Sequence, residues 1–262
     1  MNHPIGIFDS GVGGTSIWKE ITTLLPYENT VFLADSKYAP YGKRSKDEII
    51  SLSIKNTEKL LELNCKIIVV ACNTATTNAI KTLRSTYDIP IIGIEPAIKP
   101  AAIHTKTKKV GVLATKGTLS SQLFTETSDL YAQNIEVIEV IGSGLVELIE
   151  DGKINSKEMY QLLHSYVTPM IQKNIDYLVL GCTHYPYLIP ILKKMLPDKI
   201  TIIDSGEAVA KQTKNILTTN DLLQSDTITL GVHKLYTNGN ASVLKDILHN
   251  HAVKHTVNTL SF

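Results

Sequence analysis

VVACNTATT, residues 69–77, ends an Ile/Val-rich run on a cysteine and passes at once into small polar residues. A short apolar run of this kind reads as a strand buried on both faces, and the polar switch marks its end and the start of a helix. VLGCTHYPY at 179–187 repeats the pattern, with Cys182 lying 110 residues after Cys72. Two thiols at equivalent strand ends point to a duplicated α/β unit.

The rest of the chain supports that reading. Apolar runs at 4–8, 30–34, 66–71, 89–94, 109–114, 135–141, 175–180 and 199–203 alternate with segments of helical period. These helical segments cover 14–25, 45–63, 74–87, 117–132, 155–173, 186–196 and 206–220, and a last pair of elements falls near 228–236 and 241–250. Alternation of this type predicts parallel strands joined by crossover helices, here in two sheets. Ile5-Gly6-Ile7-Phe8 recurs as Val110-Gly111-Val112-Leu113, and Ile91-Ile92 before Glu95 resembles Ile202-Ile203 before Glu207. Three matches in order at nearly constant offset divide the chain into related units, 1–96 and 97–205, and the tail 206–262 must pack on one of them. If the units face each other, equivalent strand ends share a cleft.

Composition sets the broad class. At 262 residues with 43 % apolar and 19 % charged, the chain can bury a sizeable core without disulfide or metal staples. A net charge of +1 gives no reason to expect a nucleic-acid partner, and no apolar run approaches a membrane span. The start MNHPIGIFDSG lacks a signal-peptide pattern, so the cytoplasm is the expected location. Three cysteines do not make a disulfide framework and lack zinc-site spacing. His249, His251 and His255 could suggest a metal, but they lie in a polar tail and read as structural or exposed. No metal is expected.

The chemistry gathers at the strand ends. An unperturbed thiol, with a pKa near ~8.5, is only about 3 % thiolate at pH 7. A helix beginning near Thr74 or Pro186 would favour the charged form at Cys72 or Cys182. An isolated Cys is more often a small buried hydrophobe, the reading kept for Cys65. FDSGVGGTS at 8–16 fails both the dinucleotide and the Walker fingerprints, and Asp9 would repel phosphate. Asp9 and Ser10 better suit an ammonium group, with glycine N–H groups near a carboxylate; alternatively, Asp9 simply caps the helix. ADSKYAPYGKRS at 34–45 supplies Asp35, Tyr41 and Gly42 in a loop able to close over a polar ligand. His184, two residues after Cys182, could carry a proton, and Glu150 could reach the same cleft or simply lie on a polar helix stripe.

IGIFDSGVGG, ADSKYAPYG, ACNTAT, GIEPA, GCTHYP and IIDSGEAVA, in this order, resemble the glutamate racemases, cofactor-independent members of the Asp/Glu racemase superfamily. The resemblance covers essentially the whole chain. It departs locally at Thr15 and Tyr187, where aliphatic residues are expected. The resemblance implies Cys72 and Cys182 as catalytic bases on opposite faces of the substrate α-carbon, the first acting on D-glutamate and the second on L-glutamate. It implies Asp9, Ser10, Tyr41, Gly42, Asn73, Thr74, Thr183 and His184 as substrate ligands. Asp9 and His184 would also support the thiols, with Asp35 and Glu150 as helpers. Also implied are two α/β domains with the tail returned to the first, no cofactor, a homodimer, and supply of D-glutamate for peptidoglycan.

The chemical demand agrees. A racemase removes a proton from one face and delivers one to the other, which needs two acid/base groups in opposite protonation states. No pyridoxal-phosphate lysine motif is visible, so positioned donors must stabilise the carbanion. Racemisation of aspartate or hydantoins is the nearest alternative, and a non-catalytic amino-acid-binding protein on this fold is the alternative from another class. A one-cysteine thiol hydrolase would leave the second Cys without a task.

Overall fold

The computed structural model describes residues 3–262, so the first two positions of the 1–96 unit lie outside the described residues. Among the described residues ten strands form two sheets. They are β1 (Ile5–Asp9), β2 (Thr30–Ala34), β3 (Ile67–Val70), β4 (Ile91–Gly93), β5 (Lys109–Ala114), β6 (Glu136–Ile141), β7 (Tyr177–Gly181), β8 (Thr201–Ile203), β9 (His233–Thr237) and β10 (Thr256–Thr259). The first sheet has the order β10-β9-β2-β1-β3-β4 and the second β6-β5-β7-β8. Every pairing is parallel.

The order β2-β1-β3-β4 in one sheet and β6-β5-β7-β8 in the other is the same path taken twice, as the paired motifs require. Matching glycines show that the likeness extends to packing. A Cβ on Gly6 of β1 would fall 2.9 Å from Cys65 Sγ, and one on Gly111 of β5 would fall 2.8 Å from Ile175 Cδ1. Cys65 is thus a core side chain, and burial pushes its thiol up to about 12. Strands β1 and β3 are fully buried, which accounts for the unbroken Ile/Val run of β3 and for the lack of a polar residue in β1 before Asp9.

The helices are α1 (Thr15–Leu24), α2 (Lys46–Glu62), α3 (Asn73–Thr86), α4 (Ile98–His104), α5 (Lys116–Leu119), α6 (Gln122–Tyr131), α7 (Leu145–Glu150), α8 (Lys157–Gln172), α9 (Ile189–Met195), α10 (Gly206–Thr219) and α11 (Ala241–Leu248). Two expected helices are broken. Residues 117–132 divide because Ser121 starts a new helix: its hydroxyl donates to Thr118 O at 2.7 Å and accepts from Phe124 N at 3.2 Å. The segment expected over 186–196 opens as a 3₁₀ turn, Tyr185–Leu188, before α9, and two prolines lacking N–H groups occupy it. Helices α4 and α7 and strand β10 lie outside the expected elements. They are short, and β10 is polar.

Strands β9 and β10 extend the first sheet beyond β2, and α10 packs on α1. The tail histidines follow. His233, His251 and His255 set their rings around Trp18 at centroid distances of 5.8, 5.0 and 5.6 Å. Among the described residues no helix is long and apolar enough to cross a membrane, and no group of three or more His, Cys, Asp or Glu is arranged to hold a metal.

Candidate active site

Order reverses between β1 and β3 in the first sheet and between β5 and β7 in the second, and open α/β sheets hold ligands at such points. Just beyond these four strands stand Ser10, Cys72, Thr115 and Cys182, with Ala71 between β3 and Cys72. All four line one cavity, with Pro40, Tyr41, Gly42, Asn73, Thr74, Val146, Thr183 and His184. Its free space is only about 10 Å³. That is room for at most one water.

Both thiols are nearly buried, at 4 % exposure for Cys72 and 7 % for Cys182. Their surroundings differ. Cys72 caps α3, accepting from Ala75 N at 3.4 Å, and donates to Ser10 Oγ at 3.5 Å. Burial raises its pKa, the negative charge of Asp9 adds to the rise, and the Ser10 and Ala75 contacts only partly oppose it. The helix N-terminus therefore does not ionise this thiol, contrary to the expectation from its position alone. Cys182 precedes a 3₁₀ turn, and His184 Nδ1 lies 3.7 Å from its Sγ.

His184 is the contrasting element. Burial alone would lower its pKa, but the bonds to Cys182 and Glu150, with their charges, outweigh that and hold it well above the ordinary value. Glu150 Oε1 accepts from His184 Nε2 at 2.6 Å. An imidazolium donates through both nitrogens. The Gly13 N–H, 3.2 Å from Nε2, is then a close approach and not a hydrogen bond. A cation with an N–H donor beside Cys182 Sγ stabilises an anion there.

The glycine-rich turn serves this arrangement. Val12 N donates to Glu150 Oε1 at 2.6 Å, and a Cβ on Gly11 or Gly13 would run into Glu150 or His184. The backbone N–H of Val12 thus meets a carboxylate of the protein itself. Asp9 lies under the cavity, accepting from Gly11 N and from the Thr183 hydroxyl, both at 3.0 Å. Burial raises its pKa, with the charge on His184 opposing.

Nine of the expected residues line the cavity: Ser10, Tyr41, Gly42, Cys72, Asn73, Thr74, Cys182, Thr183 and His184. Asp9 and Glu150 touch it through their neighbours. Asp35 is a shell further out, accepting from the Tyr41 hydroxyl and from Asn56 and Asn238 and paired with Lys55. It meets neither thiol. Thr115, Val146 and the adjoining Thr118 lie outside the expected set. The repeat carries the signal for Thr115: adding the β1–β5 offset to Ser10 lands on it. Thr74, Thr115 and Thr118 join their hydroxyls at 2.8 to 3.4 Å, and Asn73 Oδ1 is buried without a partner.

Residues 17–213 match the family model for Asp/Glu/hydantoin racemases. A glutamate racemase of Ectopseudomonas mendocina is 46 % identical over 84 % of this chain and 84 % of its own length. Among solved structures, a glutamate racemase isoform of Bacillus anthracis superposes with a TM-score of 0.86 at 31 % identity, covering 99 % of this chain and 98 % of that one. The Escherichia coli glutamate racemase in complex with L-glutamate and the activator UDP-MurNAc-ala gives 0.86 at 30 % identity with the same coverage.

Proposed function

Because this chain belongs to the Asp/Glu/hydantoin racemase family, as an amino-acid racemase of the glutamate type, we propose that it inverts glutamate with two thiols of opposite charge. One observation carries the reading. Cys72 and Cys182 reach a single cavity from equivalent strand ends, the first above the buried Asp9 and the second beside the His184 ring.

From L-glutamate, Cys182 as thiolate takes the α-proton and the Cys72 thiol gives its proton to the opposite face. The product is D-glutamate, with Cys72 left as thiolate and Cys182 protonated. D-glutamate runs the same steps backwards. His184, backed by Glu150, holds the negative charge on Cys182 before the transfer, and Ser10 and the Ala75 N–H receive it at Cys72 afterwards. The unpartnered Asn73 Oδ1 takes an N–H of the substrate ammonium, and the Thr74, Thr115 and Thr118 hydroxyls turn toward the side-chain carboxylate. The units 1–96 with 206–262 and 97–205 part to admit substrate. On this reading the protein works in the cytoplasm as a homodimer that supplies D-glutamate for peptidoglycan and so for cell shape.

The test is exchange in D₂O without added cofactor. Either enantiomer of glutamate should acquire α-deuterium as it inverts, and Cys72→Ala and Cys182→Ala should each lose at least ~10²-fold in racemisation. Near-full activity in either variant refutes the two-thiol scheme. Faster exchange of aspartate than of glutamate refutes the substrate.

A further inference from the structure

Thr15 and Tyr187 are local departures from the expected aliphatic residues, and the fold brings them together. Tyr187 lies in the 3₁₀ turn after Cys182, and Thr15 opens α1 below the glycine-rich turn. Their hydroxyl oxygens are 2.6 Å apart. Thr15 Oγ1 donates to Val12 O, also at 2.6 Å, so the proton between the two side chains comes from Tyr187. Thr15 is fully buried, and burial raises the Tyr187 phenol far above its ordinary pKa, which keeps it a donor.

These bonds close a circuit. From Tyr187 it runs to Thr15 and Val12, from Val12 N to Glu150, from Glu150 to His184 and from His184 to Cys182. Cys182 branches from His184, and the ring closes where Tyr187 N donates to His184 O at 3.3 Å. Five residues from the two units share the ring. Deleting the Tyr187 hydroxyl leaves four of its contacts in an open arc, free to slide where the ring could not.

We propose that Tyr187 is a positioning residue for proton transfer at Cys182, its hydroxyl closing with Thr15 the ring that keeps Glu150 on His184. The proposal rests on the two-thiol reading of the same site. Lys19 Nζ, 4.7 Å over the Tyr187 ring, and Ser16, whose hydroxyl donates to Thr183 O at 2.9 Å, brace the same seam without entering the ring.

Tyr187→Phe and Thr15→Val remove one hydroxyl each from the full-length protein, and Thr15→Ser keeps it. The pH profile of kcat is the readout. Loosening Glu150 from His184 lets the imidazolium lose its proton at lower pH, so the basic limb should move to lower pH in Tyr187→Phe and Thr15→Val. In both, kcat should fall about tenfold while KM stays within about twofold, as for a contact felt in the transition state. Thr15→Ser should retain the parent profile. An unmoved limb in both hydroxyl-less variants, with only a lower melting temperature, overturns the proposal. So does a rise in KM at unchanged kcat. Cys182→Ala measured alongside separates the two failures: its near-full activity sinks the two-thiol reading itself, whereas its inactivity with an unmoved limb sinks only the role of Tyr187.

Discussion

Asp35 marks the line between a residue that touches the reaction and one that supports it. Its carboxylate is fully buried and satisfied by Tyr41, Asn56, Asn238 and Lys55, and of these Tyr41 lines the thiol cavity. Asp35→Asn keeps the shape and one acceptor oxygen while losing the ion pair. Tyr41 then sits less firmly in the cavity wall. We expect KM to rise about three- to tenfold, kcat to stay within about threefold, and both pH limbs to hold, since no titrating partner of either thiol has changed. A displaced limb would make Asp35 part of the proton transfer after all. Legibility at this scale follows chemistry. The thiols, Ser10, Asn73 and Thr183 were readable because a polar residue directly after a buried strand has one place to go. Thr115 was readable only through the repeat. Glu150 was ambiguous because a helical stripe places it equally well in water, and only the approach of α7 to the glycine turn resolves it.

Among elements, strands were the more legible because full burial leaves a continuous apolar signature, whereas helix ends depend on capping that composition does not reveal. Ser121 and the two prolines around Tyr187 broke helices that periodicity alone would continue. The tail was least legible, since its packing partner is α1, far away in sequence. That packing has a testable consequence. Trp18, the single tryptophan, donates to Thr30 Oγ1 at 2.9 Å, which leaves the Thr30 proton for His233 Nδ1 at 3.0 Å. Burial, followed by the charges of His255 and His251, lowers the His233 pKa to about 4. His251 is lowered too, by burial, then by Lys19 and His255. The folded value lies below the unfolded one, so on acidification the unfolded chain binds the proton first. The resulting stability is full above pH 6.5 and is lost as the pH falls from there toward 4. Unfolding followed by Trp18 fluorescence should show that slope, and His233→Gln should flatten it. An equal slope between pH 6.5 and 5 in the variant would refute the assignment.

At the scale of the molecule, a cavity of about 10 Å³ cannot be the state that admits glutamate. The halves must part and close again, and the question is which seam yields. Along Asp9 to Ser16 the contacts with Glu150, Thr183, His184 and Tyr187 are several and buried or partly buried, so breaking them together is costly. On the other side, Pro40, Gly42, Thr115 and Val146 wall both the thiol cavity and a neighbouring space of about 50 Å³ that opens past Lys43, Lys116 and Glu147. There the crossing consists of the Lys43–Glu147 ion pair, whose lysine side chain is 69 % exposed, the Thr74 hydroxyl beside those of Thr115 and Thr118, and Asn78 Nδ2 donating to Gly117 O. Exposed pairs contribute ~0–1 kcal/mol and are screened by salt, so the ion pair adds little resistance, and the hydroxyl bonds here are fewer than the contacts of the other seam. Lys43 also stands where an anionic substrate must pass. Lys43→Glu should therefore raise KM for glutamate about three- to tenfold at low ionic strength, leave kcat nearly unchanged, and approach the parent value in high salt. Lys43→Glu combined with Glu147→Lys restores the pair with its charges exchanged and should recover most of the loss. If the exchanged pair is no better than the single variant, or if salt makes no difference, access runs elsewhere, and the buried seam beside Cys182 becomes the one that has to break in every turnover.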